Sequence, residues 1–429
     1  MNLLIYAVLA TVLGPEPGAV LTLDVAIQTA LSNSPAIKIA QSNVRKSEAQ
    51  VDQAKAGTLP QGGLQGTYTR YDSKQPFSGR NDSKTVGAQL TWNLDLSGSI
   101  STAVRAASFA VRAQQAGVDS AANTLRADVR TAYYSVLRAQ WVVKTNSEAV
   151  ENSQRRLDIG RQKFAVGSVA QFDVVRLETA LTQAQSDLVT AENGLKTAKQ
   201  LLNNLLFRPI ETDYEVAEIE PGAKPVPERD ATVRIALNNR PELIALQYRK
   251  VSLENIRRIR ERGLAPNLTV GVSAQHVVDA GAFQRKNTVS GSLTLNWPVL
   301  DGGLTRARVN EAKEDEAQVE LALQQTTLGV SLEVQVALNQ LITAQEQQRL
   351  AQQQTKEAAE ALRIANVLFE SGRGILLDVT TAQEVSTRAS LALYNANYNV
   401  LTAWCALQKA TGRDDFSTAN APKQQGNKE

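Results

Sequence analysis

The 429-residue chain carries 46 basic and 43 acidic residues, 43% hydrophobic residues, one histidine and one cysteine. Apolar side chains on that scale support a packed structure, while the near-balance of scattered charges offers no basic face to nucleic acid. His276 and Cys405 alone cannot supply the converging ligands of a zinc site or a range of catalytic groups, so catalytic, metal-binding and cofactor-binding residues are all expected to be absent.

In chain order, residues 3–13 form an uncharged apolar run before Gly14-Pro15, too short for a bilayer span and suited to a signal-peptide core, with residues 1–19 removed. No run of 18 apolar residues follows, so an inner-membrane helix is not expected. Residues 20–220 make a first unit, with strands over about 62–72 and 85–95 and long helices over about 97–166 and 172–206. The second strand alternates Val86, Ala88, Leu90, Trp92 and Leu94 with Gly87, Gln89, Thr91 and Asn93. No proline falls between Pro76 and Pro209, and a 68-residue proline-free helix would be about 100 Å long. The returning helix carries a heptad seam from Leu177, Leu181, Ala184 and Leu188 through Ala191, Leu195, Ala198, Leu202 and Leu205, the pattern of paired helices.

After the proline-rich stretch Pro221–Pro227, residues 221–412 repeat the plan: strands over about 267–278 and 288–297, long helices over about 303–371 and 376–411. Ala30-Leu31-Ser32-Asn33-Ser34-Pro35 returns as Ala236-Leu237-Asn238-Asn239-Arg240-Pro241, about 206 residues later. Gly57 and Pro60 return as Gly263 and Pro266, Trp92…Gly98 as Trp297…Gly303, Phe164…Gly167 as Phe369…Gly372, and Asp173-Val174 as Asp378-Val379. Five landmarks on one offset make the chain a tandem repeat. Val330, Leu332, Val334, Val336 and Leu338 alternate at period two, but no turn residues bound them and helix is expected there. Residues 413–429 have the composition of a disordered tail.

The strand alternation suits a membrane barrel, with Trp92 and Trp297 as lipid-facing girdle residues, and equally a soluble sheet packed on the helices. The apolar leader and the lack of any apolar helix favour the barrel. Four strands cannot close a barrel, and lipid tolerates no open sheet edge, so copies must complete it. Three copies, giving twelve strands, leave room for the aqueous lumen that the polar face implies; two would not.

The repeat, the proline-free helices, the Trp–Gly junctions and the Gly…Asp-Val tips together resemble the TolC-like outer membrane factor family over residues 22–412. The resemblance implies a mainly α fold with a small membrane β-barrel contribution, long α-helical hairpins forming an α-barrel tunnel, and four strands per chain that a homotrimer completes into the twelve-stranded barrel. It implies a passive, cofactor-free export duct in the outer membrane of a Gram-negative-type cell, with most of the chain in the periplasm. The partners implied are outer-membrane lipid, a periplasmic adaptor and an inner-membrane pump, in a tripartite efflux pump or type I secretion system. Carried onto the tips, it makes Asp173 and Asp378 the periplasmic aperture candidates, and Gly167, Ser168, Gly372 and Arg373 the adaptor-docking residues. The chain departs from some members at Phe369, Gly374 and Thr381, where they have Tyr, Arg and an acid, so its closing latch must differ; Arg373 is a candidate to pair with an acid instead. The other class that shares heptads and an export leader is a periplasmic coiled-coil adaptor or structural protein of an export system, which has no need of paired strands between long helices.

Overall fold

The computed structural model describes residues 20–74, 79–219, 222, 224–278, 280 and 285–413. The expected signal peptide and nearly all of the expected tail lie outside those residues. The described residues form two compact units: one within 20–38, 120–240 and 328–413, the other within 39–119 and 241–327.

The helical unit is built on parts of two 67-residue helices, α3 (Ser99–Ala165) and α7 (Leu304–Glu370), with α4 (Gln171–Leu205) and α8 (Leu376–Thr411) returning from their ends. At 1.5 Å per residue, α3 and α7 are each about 100 Å long. The short helices α1 (Leu23–Asn33) and α5 (Arg229–Asn239) complete it. The repeated Asn-x-Pro marks helix junctions: Pro35 opens α2 (Pro35–Ala56) and Pro241 opens α6 (Pro241–Glu261), where proline's missing N–H has no partner to lose. Every α4 seam residue is buried or half-buried, with Leu202 fully enclosed. On α8 a similar four-and-three spacing of Ala382, Val385, Ala389, Ala392, Ala396, Val400, Ala403 and Leu407 is buried or half-buried except at Val385, which is exposed. The period-two stretch is helical. Val330, Val334 and Leu338, spaced by four, share a buried face; Leu332 and Val336 fall on the opposite, exposed one.

The core of this unit gathers Ile27, Val129, Tyr133, Leu137, Leu202, Leu206, Leu401 and Cys405. Burial pushes the Cys405 thiol up to about 11, which suits a packing residue and not a nucleophile. Tyr133 ties the unit's irregular segments. Strands β1 (Val20–Leu21) and β4 (Glu215–Val216) pair in parallel. The Tyr133 hydroxyl lies 2.9 Å from the Leu21 and the Ala217 carbonyl oxygens. Burial raises its pKa to about 12, so it stays a donor. Tyr133→Phe leaves these acceptors without that proton and is expected to cost about 1–2 kcal/mol, read as a lowered thermal midpoint of the purified protein.

The second unit contains a four-stranded antiparallel sheet in the order β2 (Gln61–Arg70), β3 (Asp82–Leu94), β5 (Asn267–Val277), β6 (Asn287–Asn296). Each repeat contributes one hairpin, and β3 meets β5 across the repeats. The helices of this unit pack through polar as well as apolar contacts. Ser252 Oγ donates to Ala106 O at 2.8 Å, Arg257 pairs with Glu316 at 2.8 Å and Phe109 stacks on Tyr248 with ring centroids 6.3 Å apart.

Candidate functional site: a two-faced sheet and twin helical tips

Antiparallel partners point to one side of a sheet, so the register sorts every strand residue into two faces. Val86, Ala88, Leu90, Trp92 and Leu94 fall with Leu268, Val270, Val272 and Ala274, and with Val289, Gly291, Leu293 and Leu295. Gly62, Leu64 and Gly66 of β2 join the same side. The opposite face carries Gln61, Gln65, Thr67, Gln89, Thr91, Asn93, Thr269, Ser273, Gln275, Ser290, Thr294 and Asn296, uncharged amides and hydroxyls throughout. They bond to one another: Thr269 Oγ1 to Asn93 Oδ1 at 2.8 Å, and Ser273 to Ser290 at 2.8 Å.

The apolar side is not a hidden core. Leu64 is 87% exposed, Val289 75% and Leu293 69%, a contiguous bare surface that water does not favour. Strands β2 and β6 are the two edges, each with a partner on one side only. Trp92 lies opposite Val270, and its indole N–H donates to Thr58 O at 2.8 Å. Trp297 is a correction to the expected strand: β6 ends at Asn296, and Trp297 stands just beyond it, exposed, before Pro298. Proline following it removes the donor that would extend the ladder. His276 sits at the loop end of β5, bonded through Nδ1 to Asn287 Oδ1 at 2.7 Å.

The helical tips of the other unit form the second feature, and they are duplicates. Gly167 has φ of 74° and so does Gly372. At the first tip Gly167 N donates to Phe164 O and Ser168 N to Lys163 O; at the second, Gly372 N to Phe369 O and Arg373 N to Leu368 O. Both are left-handed helix caps that glycine adopts without a Cβ penalty. Asp173 and Asp378 each enter the first turn of the next helix, where a carboxylate complements the helix dipole. They are not equivalent. Asp173 is half-buried and Oδ2 accepts the Ala170 N–H at 3.3 Å, whereas Asp378 is exposed and holds no such cap.

One chain ties its two tips together. Leu157, Leu177 and Leu376 are buried as a cluster, with Val174, Leu181 and Phe369 against it. Lys163 Nζ lies 3.8 Å from the Phe369 ring centroid and donates to Phe369 O at 3.2 Å. Arg156 donates to Gln383 Oε1 at 2.9 Å. Composition gave no hint of the Lys163 bridge, because its partners are a ring and a carbonyl on the other repeat. Arg373 is exposed and takes no part in it. Gly374 is hemmed in: an added Cβ would stand 3.0 Å from Phe369 N and from Leu368 Cβ, which leaves no room for a larger side chain unless these neighbours give way.

Paired strands with an exposed apolar face and a neutral polar one, joined in sequence to very long helical hairpins, fit a membrane channel. The outer membrane efflux protein profile matches residues 26–206 and again 232–413, one match per repeat. The chain belongs to that family. Among its relatives, the outer membrane efflux protein BepC of Brucella suis biovar 1 is 26% identical over 413 residues, covering 94% of this chain and 88% of BepC. The outer membrane protein TolC of Escherichia coli is 24% identical over 406 residues, covering 87% and 80%. The Campylobacter jejuni CmeC outer membrane channel superposes with a TM-score of 0.77 at 19% identity, over 94% of this chain and 90% of that one. The protein is accordingly a channel subunit of the outer membrane with its helical part in the periplasm, and the family is one of channels rather than enzymes. The adaptor alternative falls with this assignment.

Proposed function

We propose that three copies close their sheets edge to edge, β6 of one against β2 of the next, into a twelve-stranded barrel over a helical duct. The duct carries cargo passively, without a cofactor, between an inner-membrane pump with its periplasmic adaptor and the cell exterior. The observation that carries this is the open sheet itself: two unpaired edges and an exposed apolar face cannot persist in lipid unless further strands cover them. Four strands per chain suit three copies because eight would leave a lumen filled by side chains. Native mass spectrometry of detergent-extracted protein is expected to give three subunits; a folded monomer would overturn the proposal.

At the periplasmic end, Gly167, Ser168, Gly372 and Arg373 are proposed as the surface that receives the adaptor. Asp378, and more weakly Asp173, are proposed to face the aperture, and Trp92 and Trp297 the lipid boundary. Leucine at Gly167 or Gly372 forces a side chain into the left-handed region. Such variants are expected to lose copurification of the adaptor while remaining trimeric. The Lys163–Phe369 bridge substitutes here for the latch that the family builds from groups this chain lacks. Lys163→Ala is expected to raise single-channel conductance or open probability several-fold, and an unchanged channel would remove Lys163 from the latch.

A further inference from the structure

The strand register leaves one side of the sheet without a single charge. That side holds glycines, amides, hydroxyls and one valine, Val277, from Gln61 on β2 to Asn296 on β6. The charge-bearing residues of the four strands are Arg70, Asp82, Lys84 and His276, and all fall on the opposite, apolar side at its loop end. Arg70 stands opposite Asp82, Tyr68 opposite Lys84 and Val86 opposite His276. Charged residues make up 21% of the chain, so composition alone would place several on a face of this size. The chain does not avoid charge where it meets water: on α7, exposed Arg349 pairs with Glu346 and Arg363 with Glu360. The water-facing side of a soluble sheet ordinarily carries lysine or glutamate, which guard it against association.

The acids between strand and long helix are committed elsewhere. Asp95 follows β3, and its carboxylate accepts the Ile100 N–H at 3.0 Å and the Ser101 N–H at 2.8 Å. Asp301, its counterpart in the second repeat, accepts the Thr305 N–H at 2.7 Å and the Gly303 N–H at 3.0 Å. Each is held at the start of a long helix, whose dipole complements its charge. What the uncharged face offers instead is hydrogen bonding. Gln65 and Gln275 stand on either side of Gly87, and Gln89 lies two residues along β3. These three glutamines border a hollow of about 250 Å³ over Gly87, where the missing side chain leaves space. An amide presents donors and an acceptor together, so it can turn toward a cation or an anion.

We infer that the lumen of the membrane sector is charge-blind: cationic and anionic solutes enter it alike and meet Gln65, Gln89 and Gln275 through hydrogen bonds. Any selection by charge is then made elsewhere in the duct. This rests on the barrel reading above, in which the uncharged side of the sheet bounds the aqueous path. A lumen lined by charges of one sign concentrates the opposite ion by about tenfold or more, and rings of charged side chains select between ions in this way. No such ring can form at the level of Gln89. Lys84 is about 17 Å away along the strand at ~3.4 Å per residue, well beyond the ~8 Å over which physiological salt screens a charge.

The test measures the electrostatic potential at one lumen position. In full-length Gln89→Cys protein in planar bilayers, modification by a cationic methanethiosulfonate bearing trimethylammonium is compared with that by an anionic one bearing sulfonate. Each rate is divided by the rate for a free thiol in solution, so that the intrinsic reactivities of the two reagents cancel in the cation-to-anion ratio. Native Cys405 is buried and does not compete. The ratio is expected to lie within about threefold of one and to change little between low and high salt. Gln275→Cys, on the neighbouring strand, is expected to give the same result. Adding Ser273→Glu, directly opposite position 89, is expected to raise the ratio by about tenfold or more in low salt. A ratio outside the threefold range, moving toward one as salt rises, would overturn the inference. A Ser273→Glu variant that leaves the ratio unmoved would overturn it too, because position 89 would not share an aqueous lumen with position 273. Leu90→Cys separates the two readings. A ratio far from one with position 90 protected contradicts only the charge-blind lining; position 90 as reactive as 89, with no conductance, contradicts the barrel.

Discussion

Leu293→Lys is expected to abolish stable insertion, while Thr294→Lys, one residue away, leaves it nearly intact. Leu293 pairs with Val270 on the apolar face and is 69% exposed in the single chain; Thr294 pairs with Thr269 on the neutral polar face. In a barrel the first points into hydrocarbon and the second into water. A lysine at mid-depth on the lipid side costs about 2–4 kcal/mol, against about zero in the lumen, and a threefold assembly imposes that cost three times. The comparison controls for strand propensity, because both variants place the same residue at adjacent positions within β6. Trimer yield in the outer-membrane fraction and resistance to urea in liposomes would both report it. Equal tolerance at the two positions would mean that the sheet is not bounded by lipid on its apolar side.

The second large effect is expected at the tips. Asp378→Asn should weaken block by multivalent cations by roughly tenfold or more, measured on single channels, with the trimer intact. In the proposed trimer three Asp378 carboxylates would face one axis and act together on a single cation, so removing all three charges would change the block far more than removing one. Asp378 is the stronger candidate of the pair because it is exposed and uncommitted, while the Asp173 carboxylate already accepts the Ala170 N–H. Asp173→Asn is therefore expected to have the smaller effect on block and some effect on the start of α4. The reverse order would exchange their places in the aperture.

The sequence showed some of these features better than others, for identifiable reasons. The long helices and both faces of the sheet were legible because proline absence, heptad spacing and strand alternation act through periodicity, which needs no partner. The tips were legible because a glycine at a helix end followed by an acid is a local backbone signature, here written twice. What periodicity cannot carry is pairing across the chain. That β3 lies against β5, and that Lys163 reaches Phe369 on the other repeat, are long-range contacts without a local pattern. Strands β1 and β4 span two residues each, too few for any alternation, and are held by the Tyr133 hydroxyl from a helix over a hundred residues away from Leu21. The period-two stretch from Val330 to Leu338 shows how the pattern can mislead: residues four apart share a helical face, so alternate apolar positions can belong to two faces of one helix. Trp297 falls outside β6 because Pro298 ends the ladder, an effect that alternation alone overlooks.

The central claim, that three copies of this chain make one aqueous path through the outer membrane, is tested most directly by planar-bilayer recording of the purified trimer. A single uniform conductance is expected, small while the tips are latched, larger in Lys163→Ala, and sensitive to multivalent cations added on the helical side only. A trimer that inserts without conductance in both the wild type and the unlatched variant would contradict it.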